Sequence, residues 1–309
     1  MSFIGHEAIR ERFNKSIKNS ALSHAHLIIG DDGIGKSILA KDFAVKILGR
    51  EECRDYVDIV NYKPKKGSFG VDEVREIISE VNKKPYEGDK KVIIIYDGNK
   101  LTTQAQNALL KTIEEPPKGV YMILLCESTE LILDTIKSRC QIHKLSPLSL
   151  EEMENFIEKN YEALDEKVKK TLLAFSEGIP GRVQKFLEDK SFEEVRNIVL
   201  DMLKDINKRD EKIIIEYEQR FTQYNDKEEE ILSTIVSFVR DIIVYKEIEN
   251  LSMIINGDKI DDIKDLSNLM SYKKLKAIVG VVDDTRKNFK SNTNSSMTFN
   301  VMLISLLEV

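Results

Sequence analysis

Gly30-Asp31-Asp32-Gly33-Ile34-Gly35-Lys36-Ser37 reads G-x-x-x-x-G-K-S, between the apolar run Leu27-Ile28-Ile29 and a helix-like stretch from Ile38 to Leu48. A strand that turns through this spacing into a helix is a phosphate-binding loop in its proper setting. The glycines let the backbone turn tightly enough to aim several N–H groups at phosphate oxygens, and the helix adds its positive N-terminal end. Lys36 is placed to neutralise the β- and γ-phosphates and the Ser37 hydroxyl to ligate Mg²⁺, so the expected ligand is ATP or ADP with magnesium.

Around this loop the first half of the chain alternates helix and strand. Ile9 to Ile17 reads as a helix, Ile59-Val60 as a weak strand, and Val71 to Val81 as a helix. Val92-Ile93-Ile94-Ile95-Tyr96 is a continuous apolar run of the kind buried on both faces of a parallel sheet. Thr103 to Glu115 is a helix stopped by Pro116-Pro117, Val120 to Cys126 a further buried strand, and Gln141 to Leu145 a short last one. The pattern predicts a doubly wound parallel sheet with its ligand at the carboxyl ends of the strands.

After Leu145 the pattern changes. Ser149-Leu150-Glu151-Glu152 is a capping box that opens a run of helices, interrupted at Gly178-Ile179-Pro180-Gly181. Ile231, Ile235, Phe238 and Ile242 share one helical face and read as core. Asn292-Thr293-Asn294-Ser295-Ser296 precedes a last helix, Met297 to Leu307, apolar over most of its circumference and suited either to the chain's own core or to a subunit interface. The expected domains are 1–147, an α/β nucleotide-binding domain; 148–205, a small helical lid; and 206–309, an all-helical collar.

Composition narrows the class. With 309 residues, 41% hydrophobic and 32% charged, the chain has material for a sizeable core in more than one domain. No apolar run reaches the 18 residues or so of a membrane span, and Met1-Ser2-Phe3-Ile4-Gly5 lacks the basic-then-apolar order of a secretion signal, so a cytoplasmic protein is expected. A net charge of −6 argues against a dedicated nucleic-acid binder, and Lys63-Pro64-Lys65-Lys66 reads as a solvated loop. Cys53, Cys126 and Cys140 are too few for a tetrathiolate zinc site and fit reduced thiols, so no zinc is expected.

The strand ending at Asp97 bears on hydrolysis. P-loop ATPases hold magnesium with an acid here and often orient water with a neighbouring glutamate. Ile95-Tyr96-Asp97-Gly98-Asn99 offers one acid. Either Asp97 holds the metal and nothing beside it activates water, or it takes the glutamate place and Tyr96 stands where the metal acid belongs. Nucleotide binding is therefore expected with weak or absent turnover. His24 and His26 read as packing or hydrogen-bonding residues, and His6 and His143 have no Cys or acidic partner at metal spacing.

Leu101 to Pro117, with Asn107-Ala108-Leu109-Leu110-Lys111-Thr112-Ile113-Glu114-Glu115-Pro116-Pro117 at its centre, and then Ser138-Arg139-Cys140, resembles the AAA+ clamp-loader family. Ile4-Gly5-His6, His24-Ala25-His26 and the collar-like final helices extend the resemblance over essentially the whole chain. It implies a subunit of a pentameric machine that opens a sliding clamp and loads it on primed DNA, alongside gamma/tau- and delta-type subunits and with no membrane. It further implies that Arg139 acts in trans on the γ-phosphate of a neighbouring subunit, a task that suits a planar, permanently charged guanidinium. The reduced Tyr96-Asp97 pair favours a stator over a motor. Cys126-Glu127-Ser128 stands where motor subunits carry a nucleotide-sensing threonine. Gly181 stands at the lid's sensor arginine, with Arg182 one residue later as the candidate nucleotide contact or a helix-start surface residue. The alternatives are an ATP-hydrolysing motor of the same superfamily, either a gamma-like loader subunit or a helicase-type remodeller, and a P-loop signalling protein.

Overall fold

The computed structural model describes residues 4–52, 54–64, 67–161, 164–208, 210–248, 253–290 and 294–309, so Cys53, Lys65, Lys66, Asn292 and Thr293 lie outside the described residues. The chain divides into two compact units, Met1–Asn160 with Gly178–Gly181, and Tyr161–Glu177 with Arg182–Val309.

The first unit runs α1 (Glu7–Lys18), β1 (Ala25–Ile29), α2 (Lys36–Ile47), β2 (Ile59–Tyr62), α3 (Val71–Val81), β3 (Lys91–Ile95), α4 (Thr103–Glu114), β4 (Val120–Cys126), α5 (Asp134–Lys137), β5 (Gln141–Lys144) and α6 (Leu150–Asn160). All strand pairings are parallel, in the order β2-β3-β4-β1-β5. Ala25 stands opposite Met122 and Ile28 opposite His143, so β1 lies between β4 and β5, where the winding changes direction and open α/β sheets place ligands.

Strand side chains alternate between two faces, which explains the continuous apolar runs. Leu27, Ile93, Ile95, Met122 and Leu124 pack against Val74, Ile77, Ala105, Leu109 and Ile113 on one side. Ile28, Val92, Ile94, Ile123 and Leu125 meet Phe13, Leu39, Phe43 and Ala44 on the other. Helix starts follow local chemistry: Thr102 accepts from the Ala105 N–H at 3.2 Å, and Ser149 and Glu152 exchange side-chain-to-backbone bonds of 2.8 and 3.2 Å, as the capping box requires. The short helix α5 is absent from the sequence reading, since four residues carry no periodicity.

His26 and His143 meet inside this unit, Nδ1 to Nε2 at 3.1 Å, beside the stacked rings of Phe13 and Phe43. Burial pulls His26 down to about 3, helped by His143, and pulls His143 down to about 4, helped by Arg12. Both are therefore neutral in the fold, while the unfolded chain takes up protons near pH 6.5. Stability is complete above that pH and is lost as pH falls towards 4, at roughly 1.4 kcal/mol per pH unit per histidine at most. The urea midpoint, followed by circular dichroism, should drop between pH 7 and 5. The double variant His26→Leu/His143→Leu should lose a large part of that slope; an unchanged slope would place the acid sensitivity elsewhere.

The second unit contains α7 (Glu166–Ser176), most of α8 (Pro180–Glu188), α9 (Lys190–Asp205), α10 (Lys212–Thr222), α11 (Glu228–Ile248), α12 (Ile260–Leu269), α13 (Tyr272–Lys290) and α14 (Ser295–Glu308). One apolar core runs through it from Val195 to Leu306, with Ile231, Ile235, Phe238 and Ile242 fully buried. The last helix is two-sided: Phe299, Met302, Leu303 and Leu306 face the core, while Met297, Val301 and Ile304 are exposed. Fully buried Arg196 donates to both Asp258 oxygens at 2.8 and 3.1 Å and to Asn256 at 3.0 Å. Buried Asp241 accepts the Ile255 and Asn256 amides, so buried charge holds the segment that leads into the 3₁₀ turn Gly257–Lys259 and α12. Among the described residues no helix is long and apolar enough to cross a membrane.

Candidate functional site

The G-x-x-x-x-G-K-S loop occupies the carboxyl end of β1. The Gly30 N–H donates to the Cys126 carbonyl at 3.2 Å and the Leu145 N–H to the Ile29 carbonyl at 2.7 Å, fixing the loop's entry between β4 and the chain leaving β5. A Cβ at Gly30 would sit 2.9 Å from the Leu145 carbonyl, so the first glycine of the motif is a requirement of backbone approach. Gly33 and Gly35 adopt φ of 80° and 102°, and Ile34 between them is buried as an anchor.

No side chain caps the start of α2, which leaves its first amides to a ligand. The Lys36 ammonium folds back on the loop, donating to the Gly30 carbonyl at 2.7 Å and the Asp31 carbonyl at 2.8 Å. Burial lowers its pKa, against the opposing pull of Asp32, Glu127 and Asp31. Asp31 and Asp32 themselves are exposed. Glu127, directly after β4, is thus close enough to Lys36 to matter electrostatically. Its position after a strand end adjoining the loop is the only signal the sequence carried.

The strand end at β3 is arranged differently. Asp97 takes a left-handed conformation, φ 50°, and its carboxylate pairs with Lys100 at 3.0 Å. The Tyr96 hydroxyl donates to Asn61 Oδ1 at 3.2 Å, and burial raises its pKa, so it is a neutral phenol. Burial pushes the Cys126 thiol up to about 12, and a Cβ on Gly98 would lie 2.7 Å from its sulfur. That thiol is packing, with no thiolate to offer. Among the described residues no three His, Cys, Asp or Glu side chains group as a metal site.

Arg139 follows α5. Its Nε lies 3.1 Å from Glu114 Oε2, and Nη1 donates to the Thr135 carbonyl at 3.0 Å. Its side chain is 34% exposed and that of Glu114 55%. Gln106, buried on α4, positions this corner: it donates to the Leu101 and Leu131 carbonyls and accepts the Leu133 N–H at 2.8 Å. Sequence reasoning missed that role; a glutamine on the same helical face as Leu109 and Ile113 was the available sign. His24 donates to the Ile113 carbonyl at 2.8 Å and so finishes the same helix.

His6 lies beside the phosphate loop. Burial lowers its pKa, opposed by Glu152 and Glu7 and by a hydrogen bond to the Ile34 backbone, which brings the Ile4-Gly5-His6 segment onto the loop. Arg182, the lid candidate, pairs with Glu177.

Two family models match the chain: "DNA polymerase III, delta subunit" over residues 5–149, and "DNA polymerase III, delta subunit, C terminal" over 191–307. DNA polymerase III subunit delta' of Haemophilus influenzae is 31% identical over 192 residues, 57% of this chain and 58% of the relative. The delta' subunit of Bacillus subtilis is 32% identical over 155 residues, 45% and 47% of the two chains. The replication factor C small subunit of Natronomonas pharaonis is 32% identical over 146 residues, 47% and 43%. The chain thus spans about half the length of these curated relatives. A gamma subunit-related protein of Thermotoga maritima shares the fold at a TM-score of 0.53 and 18% identity, over 97% of this chain and 98% of that one. With both models falling on the two halves that carry the loop and the helical core, the chain belongs to the AAA+ clamp-loader family.

Proposed function

We propose that this chain is a delta prime-like subunit of a bacterial DNA polymerase III clamp loader, a cytoplasmic stator that binds nucleotide and lends an arginine to a neighbour. The supporting observation is an asymmetry: a complete phosphate loop is accompanied, at the β3 strand end, by the single acid Asp97, whose neighbour Tyr96 is a neutral phenol bonded to Asn61. ATP or ADP would lie along residues 30–37, with Lys36 exchanging the Gly30 and Asp31 carbonyls for phosphate oxygens. Ser37, at the uncapped start of α2, would hold magnesium, which would supply charge neutralisation for the phosphates. Asp97 could exchange its exposed Lys100 partner for the metal, and at that strand end Tyr96 stands where a second acid would activate water. Hydrolysis by this chain is therefore weak. Arg182 remains a candidate nucleotide contact only if it gives up Glu177.

Arg139 would act in trans, its guanidinium moving from Glu114 to the γ-phosphate held by a gamma/tau-type subunit. The complete assembly would include a delta-type subunit and would load a sliding clamp on primed DNA.

The test is reconstitution. The purified chain is expected to co-purify with gamma/tau- and delta-type subunits, to support clamp loading on primed DNA, and to show almost no ATPase alone. Turnover by the isolated chain at motor rates, near 1 per second or faster, would reject the stator reading.

A further inference from the structure

Residues Gly178–Gly181 pack with the first unit, although the chain on either side of them belongs to the second. Three fastenings hold this short return. The Leu148 N–H donates to the Gly178 carbonyl at 2.8 Å, Ile179 is buried in the core beneath the phosphate loop, and the Gly181 N–H donates to the Gly33 carbonyl at 2.9 Å. The last of these is a direct backbone contact with the phosphate loop.

Two glycines make it possible. A Cβ on Gly181 would lie 2.6 Å from the Gly33 Cα and 3.0 Å from its oxygen, while a Cβ on Gly33 would lie 3.1 Å from the Gly181 Cα. Neither neighbour is a flexible side-chain end, so neither can give way without moving backbone. The motif leaves position 33 open to any residue; here its φ of 80° and the Gly181 contact both demand glycine. Gly181 is the second residue of α8, and its amide is one of those that a helix start leaves without an internal acceptor.

We infer that Gly181 is a positioning residue for the phosphate loop, clasping the Gly33 carbonyl from outside so that the loop keeps the shape that receives a nucleotide's phosphates. The link is the planar peptide. With the Gly33 carbonyl turned towards Gly181, the Ile34 N–H points the opposite way, and it makes only a long 3.3 Å bond to the Asp31 carbonyl. A phosphate oxygen can displace so weak a partner. A side chain at 181 pushes the Gly33 peptide away and turns that amide off the ligand. The affinity effect rests on the proposed nucleotide binding; the clasp itself does not.

Two measurements on the full chain separate these. Gly181→Ala should bind Mg·ADP at least tenfold more weakly by calorimetry, and without nucleotide its residues 30–37 should exchange amide hydrogens at least tenfold faster than wild type. Gln184→Ala, an exposed change on the same helix, should alter neither. If the wild-type chain fails to bind Mg·ADP, the nucleotide reading falls while the exchange rates still decide the clasp. Unchanged loop exchange in Gly181→Ala, or unchanged Mg·ADP affinity in a chain that binds it, would overturn the inference. If the variant does not fold, the wild-type Gly181 amide decides: protection by tenfold or more supports the clasp, and exchange at the rate of an open loop overturns it.

Discussion

Lys36→Ala is expected to weaken Mg·ATP and Mg·ADP binding by roughly 100-fold, the largest effect of any single change in the first unit's loop. Two charge-assisted bonds to phosphate oxygens contribute about 1.5–3 kcal/mol each, and each 1.4 kcal/mol is tenfold in affinity. The ammonium takes the Gly30 and Asp31 carbonyls at 2.7 and 2.8 Å, oxygen acceptors of the kind that a phosphate offers. The Asp31 carbonyl is exposed and water can replace the ammonium there, whereas Gly30 is buried, so folding stability should fall by about 1–3 kcal/mol. Lys36→Arg should recover little, because a planar fork does not replace a compact ammonium inside a tight turn. Calorimetric titration checks both variants. Wild-type affinity in Lys36→Ala would mean that the nucleotide sits away from residues 30–37.

Much of this loop was legible because its constraints are local. The glycine spacing, the apolar strand before it and the helix after it are read within twenty residues, and the helices Val71–Val81 and Thr103–Glu114 and the strand Val120–Cys126 likewise follow from period and punctuation. What the sequence hid are pairings across distance. Lys91, fully buried at the start of β3, is tolerated because Glu80 lies 2.8 Å away. His26 and His143 face each other only once β1 and β5 are neighbours. Asp97 meets Lys100 only through the 3₁₀ turn that follows it. The contact between Gly33 and Gly181 joins residues that no period connects. Charge partners and backbone contacts of this kind depend on topology, which a local reading supplies only in outline.

The second large effect concerns a site this chain does not itself contain. Arg139→Ala should lower hydrolysis at the adjoining subunit's nucleotide by about 10³-fold, the usual contribution of an arginine supplied in trans to a phosphoryl-transfer transition state. The other sites of an assembly would mask the loss. It is therefore best read in a complex whose remaining phosphate loops are disabled. In the isolated chain the guanidinium pairs with Glu114 at 3.1 Å, which is also the geometry of an ordinary surface ion pair. Exposure decides how binding that pairing is: with the two side chains 34% and 55% exposed, it contributes no more than about 1 kcal/mol and can be exchanged for a stronger phosphate contact. Glu114→Gln should accordingly change the assembled rate by less than about fivefold, whereas Arg139→Lys should stay close to the alanine level, because one ammonium cannot reproduce the bidentate fork. Mg·ADP binding by the isolated Arg139→Ala chain should remain within twofold of wild type. A loss of binding there would make Arg139 a residue of the chain's own site, and a full rate in the assembled complex would leave the surface ion pair as its whole role.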